Sequence, residues 1–348
     1  MKTSGKNLVK TLLKNCIASG INFIGFPKFR LRQYRDKVLI LTYHGVLPKT
    51  EIEYDVNFYA YRNVVTLEQF IKEIQFLKEN FYLTSLLELE NNSRPLSTKP
   101  KAIITFDDGF RNNYKYAYPI LAENAISGHF FVTTGYIGKK KMLWTDQITY
   151  QLLNTHKREC YFPKLIPEKL NLCSDHDRIR ASIKLREAIK KLPFQDAYNI
   201  ASELTAYFDD VNLEEANPER YHFMDWKEIK EMYNNNMIIG SHTHNHALLN
   251  INDEKFYRTE LGLSIECLKN NADINCRYLA YPNGTPNDYC RELFPVLNEL
   301  GFRYALTQIS EWNTFQQIQK NPYELFRINI PYLPGIDMFK LYITKIVN

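Results

Sequence analysis

The sequence predicts an α/β protein whose strands form a mainly parallel sheet or barrel. Short β-branched or apolar runs alternate with segments of helical periodicity, the pattern of repeated βα units. The alternation is broken once, between about residues 140 and 221, where no convincing strand occurs and charged helical stretches take over. Residues able to do chemistry follow two of the runs, at the carboxyl ends where α/β folds place their sites.

Taken in order, the predicted strands are 38–44 (VLILTYH), 102–106 (AIITF), 129–133 (HFFVT), 237–241, 278–281, 303–306 and 326–330. Each is a short run of aliphatic, branched or aromatic residues next to polar or turn-forming ones. Helices are predicted at 67–80, 113–124, 225–234, 253–270, 288–300 and 336–346. Asp225 and Asp253 stand where N-caps belong, and Glu228 completes a capping-box pattern with Asp225. Within the interruption, 175–191 and 194–208 read as charged helices, an insertion that either caps the site or extends the scaffold.

The 348-residue chain has room for one large domain with embellishments and a sizeable core. Its 24 Tyr and 21 Phe are assigned first to that core and only second to sugar-stacking surfaces. With 44 basic against 39 acidic side chains, the net charge of +5 is too balanced for a dedicated nucleic-acid binder. The six cysteines form no CxxC pair, which predicts reduced thiols in a cytosolic protein. Lys10 and Lys14 interrupt the apolar run near the N-terminus. Residues 1–36 are therefore expected to be a basic amphipathic segment rather than a secretory signal, either packed on the domain or lying on an anionic membrane surface. The expected location is the cytoplasm or the inner face of its membrane. Residues 37–348 are assigned to one domain carrying the insertion, and the oligomeric state is not readable from the chain.

Two motifs carry the chemistry. In AIITFDDGF, Asp107 and Asp108 follow a predicted buried strand, and Gly109 lets the backbone turn. Adjacent acids repel each other there unless a cation or a proton relieves them, although Asp-Asp-Gly alone is also a common turn. In SHTHNH, at 241–246, three of the eight histidines follow another strand. Imidazoles with a carboxylate make an N/N/O set with open positions, the pattern of catalytic zinc, and the set also suits cobalt, nickel or iron. A helical turn would bring His242 and His246 to one face, whereas an extended segment would align His242, His244 and His246.

TFDDG at 105–109, together with His242-Thr243-x-x-His246, resembles the first two motifs of the polysaccharide deacetylase (NodB-homology) family, carbohydrate esterase family 4. LAYPNG at 279–284 is similar to the FAYPYG form of the third motif. LTYHGV at 41–46 and LFRINI at 325–330 resemble the opening and late strands of its bacterial exopolysaccharide-deacetylase branch. The resemblance runs from about residue 38 to 331 and implies a distorted (β/α)7 barrel with a helical insertion. It implies that Asp108, His242 and His246 bind a divalent metal, zinc first and cobalt, nickel or iron as alternatives, and it demotes His244. Asp107 would be the general base, because a ligating carboxylate loses basicity to its cation and the free neighbour keeps it. The backbone N–H of Tyr281 would hold the oxyanion. No His follows His246, so His44, the early His of this branch, is assigned as general acid. Ala280 stands where many members carry an Arg, and Arg327 is expected to orient Asp107 from the late strand. Asn283 and Asp146 are weaker candidates for binding a sugar hydroxyl.

The activity implied is removal of acetyl from an N-acetylated glycan: an N-acetylhexosamine in a surface polysaccharide, an oligosaccharide or a lipid-linked precursor. A deformylase or imide hydrolase on the same fold, and a catalytically silent glycan-binding module, are the competing readings. The intact acids and histidines speak against the silent module.

Overall fold

The computed structural model describes residues 20, 25–52, 62–91, 98–251 and 253–347. Most of the basic segment expected at residues 1–36 lies outside the described residues, which take up the chain there with helix Phe26–Gln33. The strands in chain order are β1 (Lys37–Tyr43), β2 (Gly45–Leu47), β3 (Val64–Thr66), β4 (Tyr82–Leu83), β5 (Lys101–Phe106), β6 (His129–Val132), β7 (Glu159–Cys160), β8 (Leu170–Asn171), β9 (Ile238–Ser241), β10 (Tyr278–Ala280), β11 (Tyr304–Leu306), β12 (Asn313–Thr314) and β13 (Ile328–Asn329).

Nine of them form one sheet in the order β11–β10–β9–β6–β5–β1–β12, with β13 beside β1 and β4 beside β5. All seven predicted strands are present, as β1, β5, β6, β9, β10, β11 and β13, and they pair with one another in parallel. Their residues are buried on both faces, which is why they read as unbroken apolar runs. Leu325, just ahead of β13, bridges to Leu306 at the end of β11. Because β13 also pairs with β1, the seven strands close on themselves as a distorted barrel. The seam is thin: a single bridge on one side and the pairs Leu41↔Ile328 and Thr42↔Asn329 on the other.

Around the barrel, local sequence decides the helix ends. Thr66 caps Leu67–Asn80 by accepting the Gln69 N–H, while Phe70, Ile74 and Leu77 form its buried face. Asp225 and Glu228 make the expected capping box, and Asp253 caps Glu254–Ala272. Two expectations need correction. The helix at 113–124 begins as a π turn, Asn113–Ala117, before Tyr118–Glu123. The helix at 288–300 shrinks to a 3₁₀ turn, Arg291–Leu293, and Phe294–Glu299, because the Asp288 carboxylate accepts from the N–H and hydroxyl of Thr285 instead.

The insertion is mostly helical, with Trp144–Asn154, Asp175–Ile189 and Phe194–Tyr207 packed around an apolar cluster that includes Ile148, Leu152, Leu185, Leu204 and Phe208. It also holds the antiparallel ribbon β7–β8, where the sequence suggested no strand, since two-residue strands are too short to leave a periodic signal. No helix among the described residues is long and apolar enough to cross a membrane.

His129, on β6, shows how fully the barrel interior is committed. Its Nδ1 lies 3.2 Å from Ile104 O and its Nε2 accepts the Leu86 N–H at 3.0 Å, so the ring is neutral with its proton on Nδ1. Burial pushes its pKa down from 6.5 to about 4. Below about pH 6.5 the unfolded chain takes up a proton that the folded chain refuses, so stability is full above that pH and is lost as pH falls toward about 4. Urea unfolding at pH 7.5 and 4.5 should show the native chain losing about 2–3 kcal/mol more than His129→Gln. Equal losses in the two proteins would remove His129 as the cause.

Candidate active site

β5 ends at Phe106, and the next residue, Asp107, donates its N–H to Tyr43 O of β1 at 3.0 Å. The chain then reverses through two left-handed residues, Asp108 at φ 74° and Gly109 at φ 89°. A Cβ at Gly109 would press on Val132 and Ile137 at 3.2 Å, so this turn requires glycine. The turn brings Asp108 Oδ1 to 3.5 Å from His242 Nε2 and 3.3 Å from His246 Nε2. His242 Nδ1 donates to Ala280 O at 2.7 Å, which fixes the tautomer and leaves Nε2 facing the carboxylate.

The helical turn that would pair His242 with His246 is absent. An open loop does the work, re-aimed by Thr243 at φ 63° and His246 at φ 56°, with Thr243 Oγ1 accepting the Ala247 N–H at 3.0 Å. His244 turns aside, its Nδ1 3.0 Å from Thr134 Oγ1. Asp108, His242 and His246 each offer one ligand atom, all within 4.8 Å of one another. The two carboxylate–imidazole spacings match the edge of a tetrahedron with bonds of about 2.1 Å, roughly 3.4 Å. Three converging ligand atoms, with His242 Nδ1 already bonded to Ala280 O, and a free corner fit a divalent ion of the catalytic kind.

Asp107 has a different environment. Arg327 donates to both its oxygens, Nη1 to Oδ1 at 2.7 Å and Nη2 to Oδ2 at 2.8 Å, and Gln308 Nε2 adds a bond to Oδ2 at 3.2 Å. The two side chains of this pair are 0% and 2% exposed. Burial alone would raise the Asp107 pKa, but the Arg327 charge, helped by His242 and by the Arg327 hydrogen bonds, outweighs it and holds the carboxyl below its usual range. Burial would raise Asp108 too, and the facing imidazoles of His242 and His246 hold it well below.

His44 lines the same cleft, its carbonyl held by Asn113 Nδ2 at 3.2 Å and its Nδ1 buried without a hydrogen-bond partner among the described residues. Burial lowers its pKa by more than the charges of Asp108 and Asp107 raise it.

Tyr281, in contrast, is corrected as an oxyanion donor. Its N–H donates to Leu306 O at 3.0 Å, its ring stacks on Tyr289 at 4.4 Å, and its hydroxyl donates to Tyr323 O at 3.0 Å. Asn283, two residues on, lines the cleft at φ 55°, and its N–H makes no hydrogen bond among the described residues. The signal was present in the sequence: Asn283 stands where FAYPYG has its second Tyr.

The cleft holds about 320 Å³, and the insertion supplies part of its wall through Leu143, Thr145, Asp146, Arg186 and Lys190. Of the eight non-glycine residues with positive φ among the described residues, four are Asp108, Thr243, His246 and Asn283. Such backbone costs on the order of 1 kcal/mol each and persists where packing over-determines it, commonly at functional sites. Trp312 and Tyr289 are buried core residues, each stacked on another aromatic ring.

The buried pair makes a prediction about stability. Arg327→Met should destabilise the fold by about 3–5 kcal/mol by leaving a buried carboxylate unpaired, whereas adding Asp107→Leu should recover most of the loss. A double-mutant cycle by chemical denaturation checks this, and additive losses would mean that the two residues do not stabilise each other.

The chain matches the family model for polysaccharide deacetylase over residues 96–166 and 192–305, more than half its length. It is 27% identical over 117 residues to YxkH, a protein of Bacillus subtilis (strain 168) named after the same family; the match covers 32% of this chain and 37% of that protein. Among solved structures it resembles IcaB from Ammonifex degensii, at 18% identity, covering 85% of this chain and 92% of that one with a TM-score of 0.54. The Streptococcus pyogenes deacetylase PplD, solved in complex with acetate, is 20% identical, with 88% and 96% covered and a TM-score of 0.53. The de-N-acetylase from Aggregatibacter actinomycetemcomitans is 14% identical, with 88% and 100% covered and a TM-score of 0.54. These likenesses establish the barrel, and the extent of the family match leads to one conclusion: the chain belongs to the polysaccharide deacetylase family, the NodB-homology group of carbohydrate esterase family 4.

Proposed function

We propose that the chain is a metal-dependent N-deacetylase that hydrolyses the acetamide of an N-acetylhexosamine, in a surface polysaccharide, an oligosaccharide or a lipid-linked precursor, to free amine and acetate. The observation that carries this reading is the division of labour between adjacent carboxylates. Asp108 faces two imidazoles, while Asp107 is held by a guanidinium and an amide. A divalent ion held by Asp108, His242 and His246, zinc first and cobalt, nickel or iron as alternatives, would polarise the acetamide carbonyl and acidify the attacking water.

Asp107 keeps acceptor capacity beyond the bonds from Arg327 and Gln308, since a carboxylate offers about four lone-pair positions. A base held below the usual carboxylate range takes protons only from a strongly acidified donor, which ties its action to the neighbouring ligand set. The Asn283 N–H would receive the developing oxyanion. His44, on the cleft wall, would pass a proton to the departing amine. The names of two similar proteins, a deacetylase solved with acetate and a de-N-acetylase, support the same chemistry.

Zinc-reloaded protein incubated with paired N-acetyl and N-formyl hexosamine oligomers should release acetate. Asp107→Asn should keep its metal yet lose about 10²–10⁴-fold in kcat. In the same preparations His242→Ala should lose the metal and His244→Ala should keep it. Fully loaded protein that frees no acetate from any N-acetyl sugar would end the deacetylase reading, and formate release would replace it with a deformylase.

A further inference from the structure

Beside the cleft lies a larger cavity that the hydrolytic residues do not use. It holds about 900 Å³, against about 320 Å³ for the cleft, and falls within the roughly 300–1,000 Å³ of ligand-binding pockets. Helix Phe194–Tyr207 of the insertion forms one side, and residues of the 135–142 segment that follows β6 form another.

The two spaces share their walls. At the start of helix Trp144–Asn154, Leu143, Thr145 and Asp146 line the cleft, while Met142, Trp144 and Gln147 line the larger cavity. In the histidine loop, His242 and His246 line the cleft and Asn245 the cavity; in the short helix Pro218–Tyr221, Arg220 lines the cleft and Tyr221 the cavity. Neighbouring residues of three segments thus serve both sides, which makes the two spaces adjoining stops for one extended molecule.

The lining indicates what that molecule is. Tyr136, Trp144, Phe194, Tyr198 and Tyr221 offer flat apolar faces, and Gln147, Ser202 and Asn245 add hydrogen-bonding groups among them. Met142 and Leu213 are the large aliphatic side chains, a small share for a lipid tail. Sugar rings combine apolar C–H faces with hydroxyl edges, which is the mixture this lining matches. Charge narrows the choice further. Lys139, Lys140 and Lys141 line the cavity, exposed and without ion pairs among the described residues, against one lining carboxylate, Glu214. A de-N-acetylated unit carries an ammonium that this field disfavours, whereas an acetylated unit is neutral.

We propose that this cavity is a second glycan subsite, which holds still-acetylated units of the same chain whose reacting unit sits at the ligand set. The substrate class is therefore an N-acetylhexosamine oligomer or polymer. The proposal rests on the deacetylase reading for the sugar, but the binding it claims is measured without turnover.

Binding is measured by calorimetry on zinc-loaded Asp107→Asn protein with N-acetylglucosamine dimer and hexamer, in both β-1,4 and β-1,6 linkage. The hexamer should bind tighter than the dimer. Tyr198, 59% exposed, is removable without disturbing the core, and adding Tyr198→Ala should weaken the hexamer about fivefold and leave the dimer unchanged, with Tyr198→Phe restoring the loss. The fully de-N-acetylated hexamer should bind about threefold more weakly than the acetylated one at low ionic strength, a margin that closes when Lys139, Lys140 and Lys141 are all changed to Gln. In the zinc-loaded enzyme with Asp107 intact, Tyr198→Ala should raise KM for the hexamer with kcat unchanged. Hexamer binding that depends on Tyr198, with no acetate released from any oligomer, would keep the subsite and remove the deacetylase. Acetate release at a KM independent of chain length, with dimer and hexamer bound alike whether or not Tyr198 is present, would overturn the subsite and leave the deacetylase standing. Equal affinity for acetylated and de-N-acetylated hexamers would also overturn it, as would Tyr198-dependent binding of polyprenyl phosphate without any preference for the longer glycan.

Discussion

Arg327 lies between the two places where the last strand meets its neighbours, with Leu325 bridged to Leu306 on one side and Ile328 paired with Leu41 on the other. Its Nε donates to Thr307 O at 2.8 Å, Nη1 reaches Thr105 Oγ1 at 3.3 Å, and both Nη atoms hold Asp107. A buried ion pair is expensive to desolvate and stabilises only when its remaining donors are satisfied, and here they go to the backbone and hydroxyl of adjoining strands. The thin seam of the barrel is thus reinforced by the same bonds that aim the carboxylate. Fold closure and the orientation of Asp107 cannot be separated.

The opposing half of the site is fixed by a different device. Thr243 and His246 sit in backbone conformations that unconstrained chains avoid, so the loop between them has to be anchored. Ser241 Oγ accepts the Thr243 N–H and pairs with Ser264 at 2.7 Å, and Asn245 donates both its backbone and its side-chain N–H to Glu260. Ser264 and Glu260 both lie on helix Glu254–Ala272, whose buried face positions them. The two imidazoles are therefore set by a helix that carries no ligand itself, which lowers the reorganisation needed to hold an ion.

What the sequence made legible follows from this arrangement. The seven barrel strands were visible because double-sided burial demands continuous apolar runs, and the acids and histidines because they follow strand ends. Arg327 was visible as a lone charge inside LFRINI, where only a buried partner would tolerate it. The hydrogen bonding of β10 runs one residue past Ala280, so Tyr281 still faces the ladder and Asn283 reaches the cleft. That register cannot be counted from a six-residue motif. The His242–His246 pair was legible as a pair but not as a loop, because the left-handed angles belong to residues with no strong preference for them. Arg186 and Lys190 carry no local signal at all, since they reach the cleft only through how the insertion packs.

The adjacent acids differ in what balances them. Asp107 is matched by Arg327 inside the barrel wall, whereas Asp108 has the imidazoles of His242 and His246 as its near partners. Two adjacent carboxylates with one guanidinium leave one negative charge uncompensated, the charge that a divalent ion on Asp108, His242 and His246 would neutralise. The Arg327 pair therefore keeps Asp107 out of the ligand set and leaves Asp108 to complete it.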